Sequence, residues 1–100
     1  MTSSPTDLTL AHARAVRFSD EALIVELVDG RTLSVPLSWY PRLAHATPTE
    51  RVQWQLIGRG EGIHWPALDE DVSIEALLAG RRSGESQASF NRWLEKRSKQ

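Results

Sequence analysis

Residues 22–37, ALIVELVDGRTLSVPL, place an Asp-Gly pair between two runs of large apolar and β-branched residues. This pattern is typical of a β-hairpin. A two-residue loop would set Val25 opposite Ser34, an apolar side chain against a polar one on the same face of the sheet. A three-residue loop that ends at Gly30 in the left-handed conformation sets Val25 opposite Leu33 instead. We therefore expect the three-residue loop, with both apolar side chains on one buried face.

A third apolar segment, residues 13–18, precedes the hairpin and is separated from it by a Ser-Asp-Glu turn. The three segments predict an antiparallel β-meander. Ile24 and Val28 make the second face of the middle strand apolar as well, so we expect this strand to be central and covered by a helix. Pro36 cannot donate a backbone hydrogen bond, and we therefore expect the third strand to be an edge strand.

Short helices are predicted to follow the meander. Pro41 suits the first turn of a helix that runs to about residue 46. Residues 47–50, TPTE, have the form of a capping box with proline at the first helical position, which predicts a second helix start. The apolar residues beyond it fall at helical intervals, and we expect this helix to end at Gly58. These apolar residues are Val52, Leu56 and Ile57.

Residues 63–65, IHW, predict one short strand, which Pro66 ends. Ser73 is a good cap for a last short helix that Gly80 closes. Three acidic residues, 69–71, precede this helix, where negative charge is favourable because a helix N-terminus carries partial positive charge. The sequence thus predicts an α+β fold, in which a small antiparallel β-meander or hairpin sheet packs against short helices.

Charge is divided unevenly along the chain, although the net charge is only −1. Residues 61–80 contain five acidic residues and no Lys or Arg, a net charge of −5. Residues 81–100 contain six basic and two acidic residues, a net charge of +4. The two blocks either neutralise each other or meet different partners. We divide the chain into a flexible N-terminus at residues 1–10, an α+β domain at residues 11–80 and a basic amphipathic tail at residues 81–100.

The tail carries Phe90, Trp93 and Leu94 at i, i+3, i+4 spacing amid basic residues, which predicts an additional basic amphipathic C-terminal helix. A helix of about ten residues is marginal in water, so these side chains need a cover. Three alternatives remain open: the tail packs on its own domain, folds onto a partner, or is disordered.

The composition excludes several classes of function. The 100 residues include no cysteine, which excludes disulfides, thiol catalysis and cysteine-rich zinc sites. No apolar run approaches the roughly 18 residues of a membrane span, and the N-terminus does not have the form of a secretory signal. We therefore expect a cytoplasmic protein with no membrane partner.

His64, Asp69 and Asp71 come nearest to a metal site, since imidazole and carboxylate groups are metal ligands. Their spacing matches no recognised pattern, so we predict no metal ligand and no cofactor. The glycines of residues 58–62 resemble a phosphate-binding loop. Such loops lead from a strand into a helix, whereas this one follows a predicted helix and enters a strand. We predict no catalytic residue and no enzymatic activity.

Four large aromatic residues are many for so small a domain: Trp39, Tyr40, Trp54 and Trp65. Their rings either fill the core or contribute to an interface. In the second case Arg42 and His64 would join them in a partly exposed aromatic patch of the kind enriched at interfaces. The two interpretations are compatible, because an indole ring can be half-buried.

Residues 35–80, VPLSWYPRLAHATPTERVQWQLIGRGEGIHWPALDEDVSIEALLAG, carry several separated motifs in order. They resemble the bacterial family called domain of unknown function 2442, whose members share a VPL-x-WYPRL segment, an A-T-x-x-E-R helix start and a GIHWP-x-LDEDIS signature. The resemblance covers about residues 15–80 and departs visibly only at Val72, where isoleucine is common. It implies a small α+β fold and an antitoxin role in a type II toxin–antitoxin pair, and it assigns no catalytic residue.

We therefore expect a non-enzymatic protein-binding module whose partner is a small basic protein, such as the toxin of such a pair. One alternative is a DNA-associated transcriptional regulator that acts as a homodimer through its basic tail, whose few cations predict only weak, salt-sensitive DNA contact. A metal-dependent site around His64 is the least favoured alternative. The predicted partner-binding residues are Trp39, Tyr40, Arg42, His64, Trp65, Asp69, Glu70, Asp71, Phe90, Trp93 and Leu94.

Overall fold

The computed structural model describes residues 11–98, so the predicted flexible N-terminus at residues 1–10 lies outside the described residues. The described chain forms two three-stranded antiparallel sheets with short helices, which confirms the predicted α+β class. The strands are β1 (Ala13–Phe18), β2 (Ala22–Leu27), β3 (Thr32–Pro36), β4 (Gln55–Ile57), β5 (Gly62–Trp65) and β6 (Glu70–Ser73). The α-helices are α1 (Pro41–Ala44), α2 (Pro48–Arg51), α3 (Ile74–Leu78) and α4 (Gln87–Ser98), and a 3₁₀ turn spans Leu37–Trp39.

The first sheet has the order β1-β2-β3, so β2 is central and β3 is an edge strand, as predicted. Val25 pairs with Leu33 and Leu23 pairs with Val35, which confirms the register set by a three-residue loop. Gly30 has a φ of 96°, in the left-handed region that favours glycine. The predicted hairpin geometry is therefore correct in both register and turn.

The prediction that a helix covers the other face of β2 is wrong. Glu26 on that face accepts hydrogen bonds from Arg14 and Arg17 of β1, both at 3.1 Å and both with exposed side chains. Val28, at the start of the turn, is 53% exposed. The apolar residues Ile24 and Val28 are thus not enough to bring a helix onto this face, where Glu26 forms its ion pairs in contact with solvent.

The capping box is present, but the helix that it starts is much shorter than predicted. The Thr47 hydroxyl accepts from the Glu50 backbone N–H at 3.1 Å, and the Glu50 carboxylate accepts from the Thr47 N–H at 2.9 Å. Helix α2 then ends at Arg51. Of the residues expected to extend it to Gly58, Gln55–Ile57 form β4. Leu56 pairs with Ile63 of β5, so a nearby strand provided a partner that the local helical spacing does not reveal.

The second sheet has the order β4-β5-β6, and β6 was not predicted. In β6 Val72 lies opposite Ile63, and Glu70 lies opposite Trp65. Of the three acidic residues, Glu70 and Asp71 are therefore part of this strand and Asp69 lies in the turn before it. The helix follows the strand. The Ser73 hydroxyl accepts from the Ala76 N–H at 2.9 Å, which confirms the predicted cap of α3.

The two sheets meet at the turn between β4 and β5. The backbone N–H of Ala13 donates to the carbonyl of Gly60 at 2.8 Å. A Cβ atom at residue 60 would lie 2.4 Å from the carbonyl oxygen of Ala13, and the φ of Gly60 is 103°, so only glycine permits this approach.

One apolar core lies between the sheets and the short helices. Side chains from both sheets, from α1 and α3 and from the turn before β6 are almost completely buried. The largest of these are Trp65, Leu23, Leu27, Leu43, Ile63, Leu68, Ile74 and Val25. Within residues 11–98, every helix is too short or too polar to cross a bilayer.

Candidate functional site

Trp65 does not lie on a surface, contrary to its predicted role as an apolar anchor for a partner. Its side chain is 0% exposed, its indole N–H donates to the carbonyl of Arg51 at 3.0 Å, and its ring meets Phe18 edge-on at 6.2 Å. The alternation of β5 turns Ile63 and Trp65 inward together. Trp65 is thus a core residue and does not belong to a partner-binding site in this structure.

His64 and Asp71 meet on the outer face of the second sheet, where β5 and β6 pair them directly. The Nδ1 atom of His64 is hydrogen-bonded to the Asp71 carboxylate. Asp69 lies in the turn before β6 and is exposed. Within residues 11–98, no three potential His or acidic ligands come together in a group that could hold a metal ion. The ligands that the metal-dependent alternative requires are therefore not assembled there.

Glu70 lies on the inner face of the second sheet, opposite Trp65, and is partly buried. Burial raises the pKa of its carboxyl group to about 7; Arg42 opposes this increase and the carboxylates of Glu85 and Asp71 add to it. Near neutral pH Glu70 is thus partly protonated. The other two acids of the 69–71 run, Asp69 and Asp71, are exposed.

Arg42, in α1, joins three parts of the chain. Its Nε and Nη2 atoms donate to the Glu85 carboxylate at 3.0 and 2.5 Å, and its Nη1 atom donates to the carbonyl of Leu68 at 2.8 Å. The hydrogen bonds to Arg42 lower the pKa of Glu85, and both side chains are largely buried. This ion pair attaches the first residues of the tail to the domain.

Trp39 and Tyr40 also hold the start of the tail. Tyr40 is buried, and its hydroxyl donates to the carbonyl of Arg81 at 3.0 Å. The Ser83 N–H donates to the carbonyl of Trp39 at 3.0 Å, and the guanidinium of Arg82 lies 5.3 Å from the centroid of the Trp39 ring. Of the two, only Trp39 is partly accessible.

Helix α4 lies against the domain. Of the three alternatives for the tail, the described residues therefore adopt the first, packing on their own domain. Phe90 is 8% exposed; its ring meets His45 edge-on at 5.1 Å and stacks on Trp93 at 5.7 Å. Trp93 and Leu94 are half-buried. The tail therefore provides its own aromatic cluster, and the domain covers it.

Arg97 fixes the far end of α4. Its Nη1 and Nη2 atoms donate to the Glu50 carboxylate at 3.0 and 2.9 Å, and its guanidinium lies 4.6 Å from the centroid of the Trp93 ring. The hydrogen bonds from Arg97 and from the Thr47 N–H lower the pKa of Glu50 to about 2. Glu50 thus both completes the capping box of α2 and binds α4.

The acidic segment and the basic tail do not neutralise each other in the described chain. No salt bridge joins residues 61–80 to residues 81–98; the ion pairs of the tail are Glu85 with Arg42 and Arg97 with Glu50. The exposed carboxylates of the acidic segment are Glu61, Asp69, Asp71 and Glu75.

Sequence reasoning missed an apolar surface at the edge of the second sheet. Leu56 is 38% exposed and Ile57 42%, and both lie in β4; Val52, directly after α2, is 68% exposed. Together they are three of the four exposed large apolar residues in the described chain. The expected long helix would have buried all three. The signal that could have revealed a strand was the glycine-rich turn at residues 58–62, which folds this segment back onto β5.

The basic tail offers few free cations for the DNA-binding alternative. Arg97 is paired with Glu50, and Arg82 lies over Trp39. Arg81, Arg92 and Lys96 are exposed. Lys99 lies outside the described residues.

The fold and these surfaces define a small α+β domain with an acidic segment, an apolar sheet edge and a docked C-terminal helix. Residues 13–83 match the family described as "Protein of unknown function (DUF2442)", and the chain belongs to that family. This confirms the resemblance that the sequence motifs indicated. The match ends before α4 begins.

Two solved structures are similar. A protein of unknown function from Rhodospirillum rubrum has a TM-score of 0.64 and 29% identity, with 78% of this chain and 94% of that chain covered. An uncharacterized protein from Chromobacterium violaceum has a TM-score of 0.66 and 25% identity, with 78% of this chain and 73% of that chain covered. A comparison with curated proteins found no match.

Proposed function

We propose that this protein is a non-enzymatic protein-binding module whose partner is a small basic protein. The proposal rests on one observation: within the described residues, no salt bridge joins the basic tail to the acidic segment, whose exposed carboxylates are those of Glu61, Asp69, Asp71 and Glu75. A cluster of exposed carboxylates raises the rate at which a positively charged protein associates.

The second sheet places this charge beside an apolar surface. β4 and β6 are the two edges of a three-stranded sheet, so they lie about 10 Å apart. Ile57 is on one edge and Asp71 is on the other, both on the outer face that His64 shares, whereas Leu56 lies opposite Ile63 on the inner face. A partner that spans this sheet would bury apolar area at β4 and place its cations against β6, a combination typical of an interface core with a charged rim.

The β4 edge is also chemically suited to accept a strand. Its three residues, QLI, include no charge and no proline, the features by which edge strands commonly prevent pairing with another chain. An added strand would gain main-chain hydrogen bonds from β4 and specificity from the apolar side chains.

The finer proposal is that the partner is the toxin of a type II toxin–antitoxin pair, encoded by the neighbouring reading frame. We expect the two products to co-purify at about 50 mM salt and to separate as salt rises, because exposed charges are screened over shorter distances. We also expect the neighbouring product to be toxic alone and harmless when co-expressed. Failure to co-purify at low salt would contradict the binding proposal, and a harmless neighbour would contradict only the antitoxin assignment.

Matched variants separate the two surfaces. The double substitution Asp69→Lys with Asp71→Lys should slow association at low salt, whereas Asp20→Lys with Glu21→Lys, which makes the same change of charge in the exposed turn between β1 and β2, should not. Ile57→Lys should accelerate dissociation, because it removes apolar area from the interface. Val28→Lys is its control, since Val28 is also exposed but lies on the first sheet.

A further inference from the structure

We infer that Arg42, His45 and Glu50 form a helix-docking site with an exchangeable occupant, which is α4 of the same chain or α4 of a second copy. This site lies on α1, α2 and the residue after α1, and the basic partner proposed above does not use it. The chemistry that it recognises is a helix with a carboxylate before its start, two stacked aromatic rings within it and a guanidinium near its end.

Each receptor residue meets a different group of the tail. Arg42 binds the Glu85 carboxylate through Nε and Nη2. His45 contacts the ring of Phe90. Glu50 accepts both hydrogen bonds of the Arg97 fork. The three contacts run along the tail in order and fix its direction as well as its position.

The docked helix lies outside the part of the chain that the family model matches, which ends at residue 83. The receptor residues lie inside this match, whereas the residues that they bind lie outside it. The receptor and its occupant thus belong to separate parts of the chain.

The connection to α4 allows exchange. Residues 81–86 have no helix or strand, and the Ser83 N–H to Trp39 carbonyl bond is the last backbone contact with the domain before the helix. Gly84 follows, exposed and with open space where a Cβ atom would lie. Rotation at this glycine would release the helix while the preceding residues stay in place.

The contacts are also of the kind that exchange. Phe90 is the one buried side chain of α4; Trp93 and Leu94 are half-buried, and the remaining contacts are ion pairs and guanidinium–ring contacts. A helix of this length has little stability alone, so it folds when it docks. The α4 of the same chain occupies the site mainly because the short connection keeps the effective concentration of this helix at about millimolar. A second copy presents the same groups and competes as its concentration approaches that value.

The test uses the full chain and a fluorescein-labelled synthetic peptide with the sequence of residues 84–98, GESQASFNRWLEKRS. In the released chain, Phe90→Ala and Trp93→Ala undock its own helix. We expect this chain to bind the peptide at least about tenfold more tightly than the wild-type chain, whose site is already occupied. A second released chain, with Glu85→Lys and Arg97→Glu, keeps both aromatic residues and serves if the first fails to fold.

Matched peptides test whether the contacts are specific. A peptide with Arg97→Glu should bind the released chain several-fold more weakly, and Glu50→Arg in that chain should reverse the preference. A peptide with Lys96→Glu makes the same change of charge at an exposed position and should bind as the unmodified peptide does. Three results would overturn the proposal: an equal loss of affinity in both peptides, equal binding to the wild-type and released chains, or no saturation up to about 1 mM peptide.

Exchange between whole chains is tested with a mixture of the Glu50→Arg chain and the Arg97→Glu chain. Each variant breaks its own ion pair, but the two together restore both pairs between copies. We expect sedimentation to show a dimer in the mixture at concentrations where neither variant alone forms one. A mixture that stays monomeric at about millimolar concentration would overturn the exchange between copies.

Discussion

In the first sheet, Leu23, Val25 and Leu27 have no exposed surface. In α4 only Phe90 is buried, and half-buried apolar side chains, ion pairs and guanidinium–ring contacts make up the rest of the packing. Apolar burial is not weakened by dissolved salt, but contacts between partly exposed charges are. One small chain thus combines a core held by apolar burial with a C-terminal helix held largely by more exposed contacts.

The largest effect is expected at the core. Trp65→Ala should destabilise the protein by about 3–5 kcal/mol, because it leaves a cavity between the sheets and the Arg51 carbonyl without its donor. Urea unfolding measures this change. Val28→Ala, at an exposed position, is the control and should change stability by less than about 0.5 kcal/mol. A small effect at Trp65 would show that the core does not depend on the second sheet.

Phe90→Ala should release α4 and leave both sheets folded. Burial of a phenylalanine side chain contributes about 1.5–3 kcal/mol, and this is the amount by which local opening of α4 should become easier. Hydrogen exchange of the α4 amides measures it, with the β2 amides as the internal control. If exchange accelerated equally in β2, α4 would belong to the same cooperative unit as the core.

Glu70 should make the domain less stable as the pH rises. Its pKa is about 7 in the folded protein against an ordinary value of 4.5, so the folded state binds the proton more tightly. This contribution is fully present below about pH 4.5 and is lost as the pH rises through about 7. The groups that face Glu70 are Arg42, Glu85, Asp71 and Asp69.

Glu70→Gln should therefore stabilise the protein at pH 8, by about 1–2 kcal/mol once solvent screening is allowed for. It should also flatten the stability profile between about pH 5 and pH 7.5. Urea unfolding at several pH values provides the measurement. The control is Glu75→Gln, which removes an exposed carboxylate from the first turn of α3. An unchanged profile in the Glu70 variant would show that its carboxyl group is solvated in the folded state.

The smallest effect is expected at the far end of α4. Arg97→Gln should weaken docking by about 0.2–1 kcal/mol at low salt, since the ion pair with Glu50 is only partly buried. The difference should shrink at about 1 M salt. Lys96→Gln, one residue away and exposed, should have no effect on α4 exchange. Equal effects from the two substitutions would indicate that only the net charge of the helix matters.

The sequence predicted those features whose causes are local. The hairpin register followed from side-chain parity around Gly30, and the caps at Thr47 and Ser73 followed from short-range hydrogen bonding. The family resemblance also rested on contiguous motifs. These features hold because neighbouring residues alone determine them.

Features that depend on distant partners were not predictable. Leu56 fits helical spacing, and only pairing with β5 makes it part of a strand. Trp65 lies in a strand of four residues, too short for alternation to show which face is buried. Of the receptor residues for α4, Arg42 was predicted only as part of an aromatic patch, Glu50 was fully explained by the capping box, and no motif singled out His45.

The most direct test of this difference is hydrogen exchange of the wild-type protein at about 50 mM and about 1 M NaCl. We expect the amides of α4 to lose protection at high salt while those of β2 and β5 keep theirs. Protection that changes equally in all three elements, or that stays unchanged in α4, would contradict the claim that ionic and aromatic contacts hold this helix on a separately stable domain.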